Sequence, residues 1–264
     1  MLTVKNIHDA LFAFAPESMK MGDWDNVGLL CGREERSVSC VLVSLDVTPE
    51  VAAEAAALGA ECIVTHHPAL FDPIRALNDR SYTGELLLTL AERQIAVISL
   101  HTNLDCAPGG VNDTLAQTLG LRNIRVLDPI GYDAQGRPYG LVRMGETDTA
   151  PLRAFAAFVR ETLACPGVRI ADAGRPVRVV AVGGGSCGSE IDAVLRAGCD
   201  TFVTADLKYH QFAEARFRGI NLIDAGHFET ENPVCAVLAS VLRRLSPELR
   251  VELSKTHRDA VQFL

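Results

Sequence analysis

An alternation of apolar strands with helices constrains the fold of this chain more than any other feature. The apolar run Cys40–Asp46 is followed by a segment with Pro49 in its first turn and Gly59 at its end, and then by the apolar run Cys62–Thr65. Proline at the start and glycine after the end are typical of a helix. A further helix and strand are predicted over 83–99. Because parallel strands need such crossovers, the pattern predicts an α/β fold with sheets flanked by helices.

The strand–helix–strand pattern occurs a second time at a constant distance along the chain. Gly198 and Thr204 lie 139 positions after Gly59 and Thr65, and Val180–Val182 repeats Val41–Val43 at the same offset. Chance similarity between two such units is the alternative explanation. A true internal repeat predicts two similar α/β lobes with mixed sheets, whose strand ends meet at a shared cleft.

The segment between the two copies differs in composition, with more turn-forming residues. Residues 124–174 include the turn-rich stretch Gly131–Gly136, which separates the apolar strands on either side. Turn-forming residues of this kind favour a boundary near residue 125. We therefore expect a first lobe over 1–125 plus about 220–264, which carries most of the candidate ligands, and a second lobe over 126–219.

Charge and hydropathy exclude several classes of function. The chain has 33 acidic against 25 basic residues and a net charge of −8, which argues against a nucleic-acid-binding surface. No run of eighteen apolar residues is present, so no membrane span is expected. The segment Met1–Asn6 lacks a hydrophobic signal core, which points to the cytoplasm. None of the eight cysteines forms a Cys-x-x-Cys pair, so free thiols are expected.

Two adjacent histidines follow one of the predicted strands. Ile63–Thr65 runs directly into His66 and His67, and Pro68 ends the segment. The carboxyl ends of strands are where ligands collect in α/β sheets. Successive side chains of an extended segment point to opposite sides, so these two imidazoles should diverge and serve two neighbouring ions better than one. The sequence therefore predicts a pair of metal ions at this strand end.

Two histidine–acid pairs with a spacing of four residues supply further candidate ligands, namely His101 with Asp105 and His227 with Glu231. Residues four apart lie on one face of a helical turn, about 5–6 Å apart at Cβ, which suits one metal site or two adjacent ions. A single histidine is more often a packed polar residue than a ligand. Five of the seven histidines lie at predicted strand ends, however, and that concentration favours ligands.

The candidate ligands form a mixed set of nitrogen and oxygen donors. His66, His67 and His227 supply nitrogen, and Asp105 and Glu231 supply oxygen. Paired ions about 3.5–4 Å apart share a bridging carboxylate and a bridging water or hydroxide. Donors of this kind suit Zn, Fe, Mn, Co or Ni. We therefore expect two divalent metal ions per subunit and no other cofactor.

Five motifs in order along almost the whole chain resemble the Nif-three-like family, whose members often carry the label GTP cyclohydrolase I type II homolog. The motifs are Trp24–Leu29, Thr65–Pro68, His101–Asp105, Asp206–His210 and Gly226–Glu231. The resemblance implies that His66, His67, Asp105, His227 and Glu231 hold a dinuclear metal centre, with Glu231 as the bridge. It also implies a two-lobed fold and a ring-shaped homohexamer built as a trimer of dimers. The chain is similar to the short form of the family, without an insert between the lobes.

A metal-dependent hydrolase is the leading hypothesis for the function. The resemblance suggests a small anionic or nucleotide-like substrate and the opening of the GTP purine ring to a formyl intermediate. His101 or His210 could shuttle a proton, and Lys208 could steady an anionic substrate oxygen.

Two alternatives without catalysis remain. One is a metal storage or delivery scaffold, which labile metal binding without turnover would favour. The other is a metal-dependent regulatory interaction module. A pull-down that depended on His66 and His67 would favour this module.

Overall fold

A computed structural model describes residues 1–264 and divides the chain into two compact units. The first unit comprises Met1–Leu104 and Val234–Arg258, and the second comprises Asp105–Pro233 and Asp259–Leu264. Each unit contains a central sheet and helices that pack on it, so the fold is of the mixed α/β kind.

The helices and strands follow one another in chain order. Those of the first unit are β1 (Leu2–Thr3), α1 (Val4–Phe14), β2 (Gly28–Cys31), β3 (Ser37–Val38), β4 (Cys40–Ser44), α2 (Pro49–Leu58), β5 (Cys62–Thr65), α3 (Tyr82–Glu92) and β6 (Ala96–Ser99). After α4 (Thr102–Cys106), at the passage between the units, the second unit contains α5 (Val111–Thr118), β7 (Arg122–Val126), β8 (Gly131–Tyr132), β9 (Pro138–Tyr139), β10 (Arg143–Ala150), α6 (Leu152–Thr162), β11 (Arg169–Ala171), β12 (Val177–Val182), α7 (Ile191–Arg196), β13 (Thr201–Thr204), α8 (Tyr209–Arg218), β14 (Asn221–Asp224) and α9 (His227–Glu231). The chain returns to the first unit in α10 (Val234–Arg243) and β15 (Arg250–Leu253).

The main sheet of the first unit has the strand order β15-β4-β5-β6-β2. All its pairs are parallel except β2 with β6. The crossover helix α2 has the predicted bounds: Thr48 Oγ1 accepts a hydrogen bond from Val51 N at its start, and Gly59 ends it with φ 66°. A positive φ favours glycine because it has no Cβ. The predicted strand–helix–strand unit is therefore confirmed.

The core of the first unit lies on both faces of its parallel strands. Every residue of β4, β5 and β6 is buried, as expected for strands covered on two sides. On one face Leu42 and Ile63 pack with Val51 of α2 and Leu90 of α3. Burial of each such side chain contributes about 1.5–3 kcal/mol, so the strand ends are held on a rigid support.

The main sheet of the second unit has the strand order β11-β14-β13-β12-β10-β7. The pairs β12–β13 and β13–β14 are parallel, and the remaining pairs are antiparallel. In both units the parallel series ends at an antiparallel strand. The first unit has β15-β4-β5-β6 followed by β2, and the second has β12-β13-β14 followed by β11. The expectation of mixed sheets flanked by helices is confirmed.

Strand register repeats between the units at the offset found in the sequence. Val41 pairs with Cys62 in the first unit, and Val180 pairs with Thr201 in the second. Both residues of the second pair are 139 positions later (180 − 41 and 201 − 62). Because a register slip of one residue would turn every side chain to the other face, this agreement favours a true repeat over chance.

Each repeat has an acidic residue that accepts hydrogen bonds from two successive backbone N–H groups at the equivalent position. Glu61 accepts hydrogen bonds from the backbone N–H groups of Ser39–Cys40 at 3.1 and 3.0 Å. Asp200, 139 positions later, accepts from those of Arg178–Val179 at distances of 2.8–3.1 Å. The donors of the second contact also lie 139 positions after those of the first. The repeat therefore extends from the strand pattern to individual hydrogen bonds.

The unit boundaries differ from the ones expected near residues 125 and 220. Leu115 of α5 packs in the core of the second unit with Val180, which draws residues 105–125 into that unit. β14 pairs with β13 in the second sheet, so the segment after residue 220 belongs there as well. Two of the candidate ligands consequently lie in the first unit and three in the second, whereas the first lobe was expected to carry most of them.

No helix is suited to span a membrane, and no disulfide is present. The longest helices have 11 residues, and none combines the length and apolar character that crossing a bilayer requires. None of the eight cysteines forms a disulfide, and seven are buried. Burial raises the pKa of Cys165 to about 12, so this thiol stays protonated at neutral pH.

Candidate metal centre

His66 and His67 follow directly after β5, where the chain bends. Thr65 Oγ1 donates to the carbonyl of His67 at 2.7 Å and lies 2.8 Å from Ser99 Oγ of the neighbouring strand, which fixes the bend. The two imidazole centroids are 4.8 Å apart, so the rings do not diverge as an extended segment would require. His66 is fully buried and His67 is partly exposed. The bend thus turns both rings toward one place.

A carboxylate holds the ring of His67. Nδ1 of His67 is 2.7 Å from Asp46 Oδ1, and His257 Nε2 is 3.0 Å from the other oxygen of the same carboxylate. Burial raises the pKa of Asp46, but the hydrogen bonds from His257 and His67 outweigh it and leave that pKa well below its ordinary value. Asp46 is therefore ionised, and Nε2 is the nitrogen of His67 that can face a metal ion.

His101 lies beside the histidine pair and has a carboxylate of its own. Its ring centroid is 5.6 Å from that of His66 and 6.0 Å from that of His67. Nδ1 of His101 is 2.6 Å from Asp25 Oδ1, while Thr102 N and Oγ1 donate to Asp25 Oδ2 at 3.1 and 2.5 Å. Burial raises the pKa of Asp25, but the hydrogen bonds from His101 and Thr102 outweigh it and leave that pKa below its ordinary value.

His227 and Glu231 form the two ends of the short helix α9. Nε2 of His227 is 3.0 Å from Glu231 Oε2, which confirms the contact expected from their four-residue spacing. On its other side, His227 Nδ1 is 2.6 Å from Asp206 Oδ2. Pro233, which lacks a backbone N–H, lies between α9 and α10.

Gly185 leaves room for this histidine–acid pair. It has φ 60°, and a Cβ atom at this position would overlap Oε1 of Glu231 and come within 3.0 Å of His227 Nε2. The sequence therefore needs glycine here both for the backbone and for the space. At Gly184 a Cβ atom would lie 3.1 Å from Glu231 Cγ, so Gly184 and Gly185 together form a glycine cradle around the carboxylate and the imidazole.

Asp105 is buried in the short helix α4, with His101 directly before the first residue of that helix. Its backbone carbonyl accepts a hydrogen bond from Asn112 Nδ2 at 3.3 Å, and Asn112 Oδ1 accepts from Gly184 N at 2.7 Å. The amide side chain of Asn112 therefore ties α4 to the glycine cradle. This bond orients the backbone that carries Asp105.

A buried arginine holds the loop that follows Asp105. Arg143 donates to both carboxylate oxygens of Asp113, at 2.7 and 3.2 Å, and also to the carbonyls of Cys106 and Ala107 at 3.0 and 3.2 Å. The arginine side chain is only 1% exposed. A buried guanidinium is stable only when such partners satisfy it, so the loop has little freedom to move.

Lys208 and His210 are exposed at the start of α8. His210 lines an open cavity of about 160 Å³ together with Asp192, Glu214 and Arg218. The structure thus places these two candidates on a helix terminus, while His101 lies among the imidazoles of the first unit. Their predicted roles with a substrate stay predictions.

One group of candidate ligands could hold a metal ion. One ligand atom from each of His66, His67 and Glu231 lies within 4.8 Å of the others. Two imidazoles and a carboxylate are suitable donors for divalent transition metals. The residues present therefore fit a metal site of the predicted donor type.

Sequence reasoning missed the three supporting carboxylates as partners of the histidines. Asp25, Asp46 and Asp206 each contact Nδ1 of one histidine. Asp46 was recognised only as the end of the apolar run Cys40–Asp46, and Asp25 only as part of the motif Trp24–Leu29. Their position at strand ends and turns near histidine motifs was the available signal, but it does not identify the partner.

Comparisons with known proteins agree on one family. The chain matches the description Duf34/NIF3 (NGG1p interacting factor 3) over residues 2–260. A Streptomyces coelicolor protein named GTP cyclohydrolase 1 type 2 homolog is 40% identical over 245 residues, which cover 89% of this chain and 86% of that protein. A Clostridium perfringens protein of the same name is 31% identical over 266 residues, with 100% of both chains covered. The crystal structure of a Bacillus cereus protein related to NIF3 covers 99% of each chain with a TM-score of 0.93 and 24% identity, which shows a shared fold.

Proposed function

The chain belongs to the Duf34/NIF3 (NGG1p interacting factor 3) family, and from this premise we propose that it is a metal-dependent hydrolase with a dinuclear metal centre. The proposed ligands are His66, His67, Asp105, His227 and Glu231, with Glu231 as the bridge. The group of His66, His67 and Glu231 could hold a metal ion. The proposed set adds the imidazole of His227 and the buried carboxylate of Asp105.

The observation that carries the proposal is the pairing of imidazoles with carboxylates. Nδ1 of His67, of His101 and of His227 each lies 2.6–2.7 Å from an aspartate oxygen. Histidines that bind metals almost always donate their other ring N–H to a carboxylate, a carbonyl or water, which fixes the tautomer and raises the basicity of the ligating nitrogen. Two proposed ligands and the neighbouring His101 share this arrangement, which supports a site built for cations.

The donor set restricts the metal and the chemistry. Three imidazoles and two carboxylates suit Zn, Fe, Mn, Co or Ni. Such ions, when bound, activate water and polarise the carbon or phosphorus centre that the water attacks.

The chain itself would handle the proton and the substrate. With Asp25 holding the proton at Nδ1, His101 can accept or return a proton at Nε2. His210 is the alternative proton shuttle, and Lys208 is proposed to steady an anionic oxygen of the substrate.

A nucleotide-like substrate is proposed from the names of the relatives. Two relatives with at least 31% identity are named GTP cyclohydrolase 1 type 2 homolog. The corresponding reaction for this chain would open the purine ring of GTP by water and release formate. Acidic residues outnumber basic ones in this chain, so positive charge for the triphosphate would have to come from the metal ions and Lys208.

The test measures GTP loss and formate release by the purified, metal-loaded chain. Glu231→Gln should abolish turnover because the bridging oxygen donor is lost. Glu229→Gln is the matched control on the same helix: Glu229 is not a proposed ligand, so this variant should keep turnover. No turnover above the Glu231→Gln level would reject the hydrolase. Labile metal binding in that case would favour a storage or delivery scaffold.

A further inference from the structure

Two large aromatic side chains are exposed to water beside His101. Trp24 is 59% exposed and Phe71 is 45% exposed, and their ring centroids are 6.1 Å apart. Both rings meet the imidazole of His101 edge to face, at centroid distances of 6.3 and 5.8 Å and interplanar angles of 86° and 85°. Exposed rings that converge on one polar side chain are more informative than isolated surface apolar residues.

The segments that carry these rings are fastened to the rest of the first unit. Asp25, directly after Trp24, is buried and bonded to His101 and to Thr102. Asn26 Nδ2 donates to the carbonyl of Leu70, the residue before Phe71, at 2.6 Å. One hydrogen bond thus joins the two aromatic segments, and another joins them to the histidine. The rings are held in advance in the arrangement that a ligand would use.

Gly22 adds a further restriction on the indole ring. A Cβ atom at position 22 would lie 2.9 Å from Trp24 Nε1, so glycine lets the indole lie directly against the backbone. Trp24 is therefore supported on one side by its own turn and exposed on the other. A supported ring with one open side is suited to stacking with a flat partner.

We propose that Trp24 and Phe71 form an aromatic platform that stacks the planar heteroaromatic ring of the substrate next to His101. This inference rests on the proposed function and narrows its substrate class to molecules with a flat heterocycle. Base–aromatic stacking needs no particular hydrogen-bond pattern, because every base has a π face. The platform places such a ring beside the imidazole of His101.

The platform carries its own reporter, since Trp24 is the only tryptophan of the chain. The full-length, metal-loaded protein is titrated with GTP and, separately, with inorganic tripolyphosphate. Tryptophan fluorescence should change in a saturable way with GTP and stay constant with tripolyphosphate. Equal responses to both probes would overturn the platform, because the signal would then follow the phosphates rather than the ring.

Calorimetry with variants gives the second measurement. Trp24→Ala and Phe71→Ala should each weaken GTP binding by roughly tenfold, in keeping with the usual loss of a stacking partner. Trp24→Phe should stay within about threefold of the parent because a π face remains. Tripolyphosphate affinity should be the same in all of them. Tyr132→Ala removes a comparably exposed ring elsewhere (69% exposed) and should change neither affinity.

Failure of the platform and failure of the hydrolase are distinguishable. GTP turnover with unchanged GTP affinity in Trp24→Ala and Phe71→Ala would overturn the platform and leave the hydrolase intact. Ring-dependent binding without turnover would support the platform and reject the hydrolase. Fluorescence that depends on protein concentration without any ligand would also overturn the platform, because the rings would then be covered by another copy of the chain.

Discussion

Asp25, Asp46 and Asp206 each fix the orientation of one histidine, so their charge bears directly on the proposed metal centre. Each contributes through a short contact with Nδ1, at 2.6 or 2.7 Å. A neutral residue at such a position would keep the shape of the site but reduce the basicity of the ligating nitrogen. Metal affinity should therefore respond to these residues, although none of them is a proposed ligand.

Asp46→Asn tests this dependence at His67. We expect metal affinity to fall roughly 10- to 100-fold, because the carboxylate that supports His67 loses its charge. Competition with a chelator of known affinity measures the change. Asp148→Asn is the control, since the side chain of Asp148 is 92% exposed and contacts only Arg122 at the surface. Equal affinities in the two variants would contradict the role of Asp46.

Glu54 illustrates how a single carboxylate holds the end of the first unit. It accepts hydrogen bonds from Ser254 Oγ at 2.6 Å, from Lys255 N at 2.8 Å, and from Thr256 N and Oγ1 at 3.3 and 2.8 Å. Burial raises the pKa of Glu54, but these hydrogen bonds outweigh it and leave the pKa below its ordinary value. His257, the residue after Thr256, contacts Asp46, which orients His67. The segment that Glu54 fixes is therefore linked to the candidate metal centre.

Glu54→Gln should change stability in a pH-dependent way. Because the folded pKa of Glu54 lies below the unfolded one, its stabilising contribution is present above the unfolded value of 4.5 and is lost as the pH falls through the folded value. We expect a loss of about 1 kcal/mol of unfolding free energy at neutral pH, since the carboxylate is partly screened by water. The difference should shrink as the pH falls below 4.5.

Urea titrations at several pH values measure this difference. Glu92→Gln, on the exposed surface of α3, provides the comparison and should match the parent at every pH. A loss that stayed constant down to the acid end of the series would show that Glu54 acts through packing rather than charge.

The two short helices that carry candidate ligands depend on their surroundings. α4 and α9 have five residues each, which is too short for a helix to be stable alone. Arg143 holds the loop after α4, and the glycine cradle admits the side chains of α9. Contacts with other elements therefore determine where Asp105 and Glu231 point.

Arg143→Met tests the support of α4. It leaves Asp113 and several carbonyl groups without their buried donor, so we expect a loss of about 3 kcal/mol or more in unfolding free energy. Chemical denaturation followed by circular dichroism measures it. Arg122→Met removes an exposed arginine from a surface ion pair and should cost no more than about 0.5 kcal/mol. Similar losses in both variants would contradict the role of the buried network.

Sequence patterns predicted the elements that carry strong local signals. Pro49 and Gly59 mark the two ends of α2, and the apolar run Cys62–Thr65 is β5 itself. The bounds of β10, Arg143–Ala150, follow instead from its pairing with both β7 and β12. Pairing partners distant in sequence decide such bounds, and local residue preference does not reveal them.

The sequence could not predict which aspartate contacts which histidine, for a related reason. His101 and Asp25 are 76 positions apart, and His227 and Asp206 are 21 apart. No helical or strand period links residues at these separations. The four-residue spacing of His227 and Glu231, by contrast, has a direct geometric meaning and gave the observed 3.0 Å contact.

The whole molecule is proposed to assemble as a ring-shaped homohexamer, a trimer of dimers, as the resemblance to the family implies. The expected mass is six times the 28.4 kDa of the chain. Sedimentation velocity at several protein concentrations measures it. A species of 28.4 kDa alone across the concentration series would contradict the proposal.

The constant offset between the two units has a consequence for the history of the chain. Matching registers and matching acid–backbone contacts are what tandem duplication of one gene segment leaves behind. At that offset, Asp206 stands where His67 stands in the other copy. This position therefore carries an imidazole in one copy and a carboxylate in the other. His67 is itself a proposed ligand, whereas the carboxylate of Asp206 contacts Nδ1 of His227 and so orients a proposed ligand.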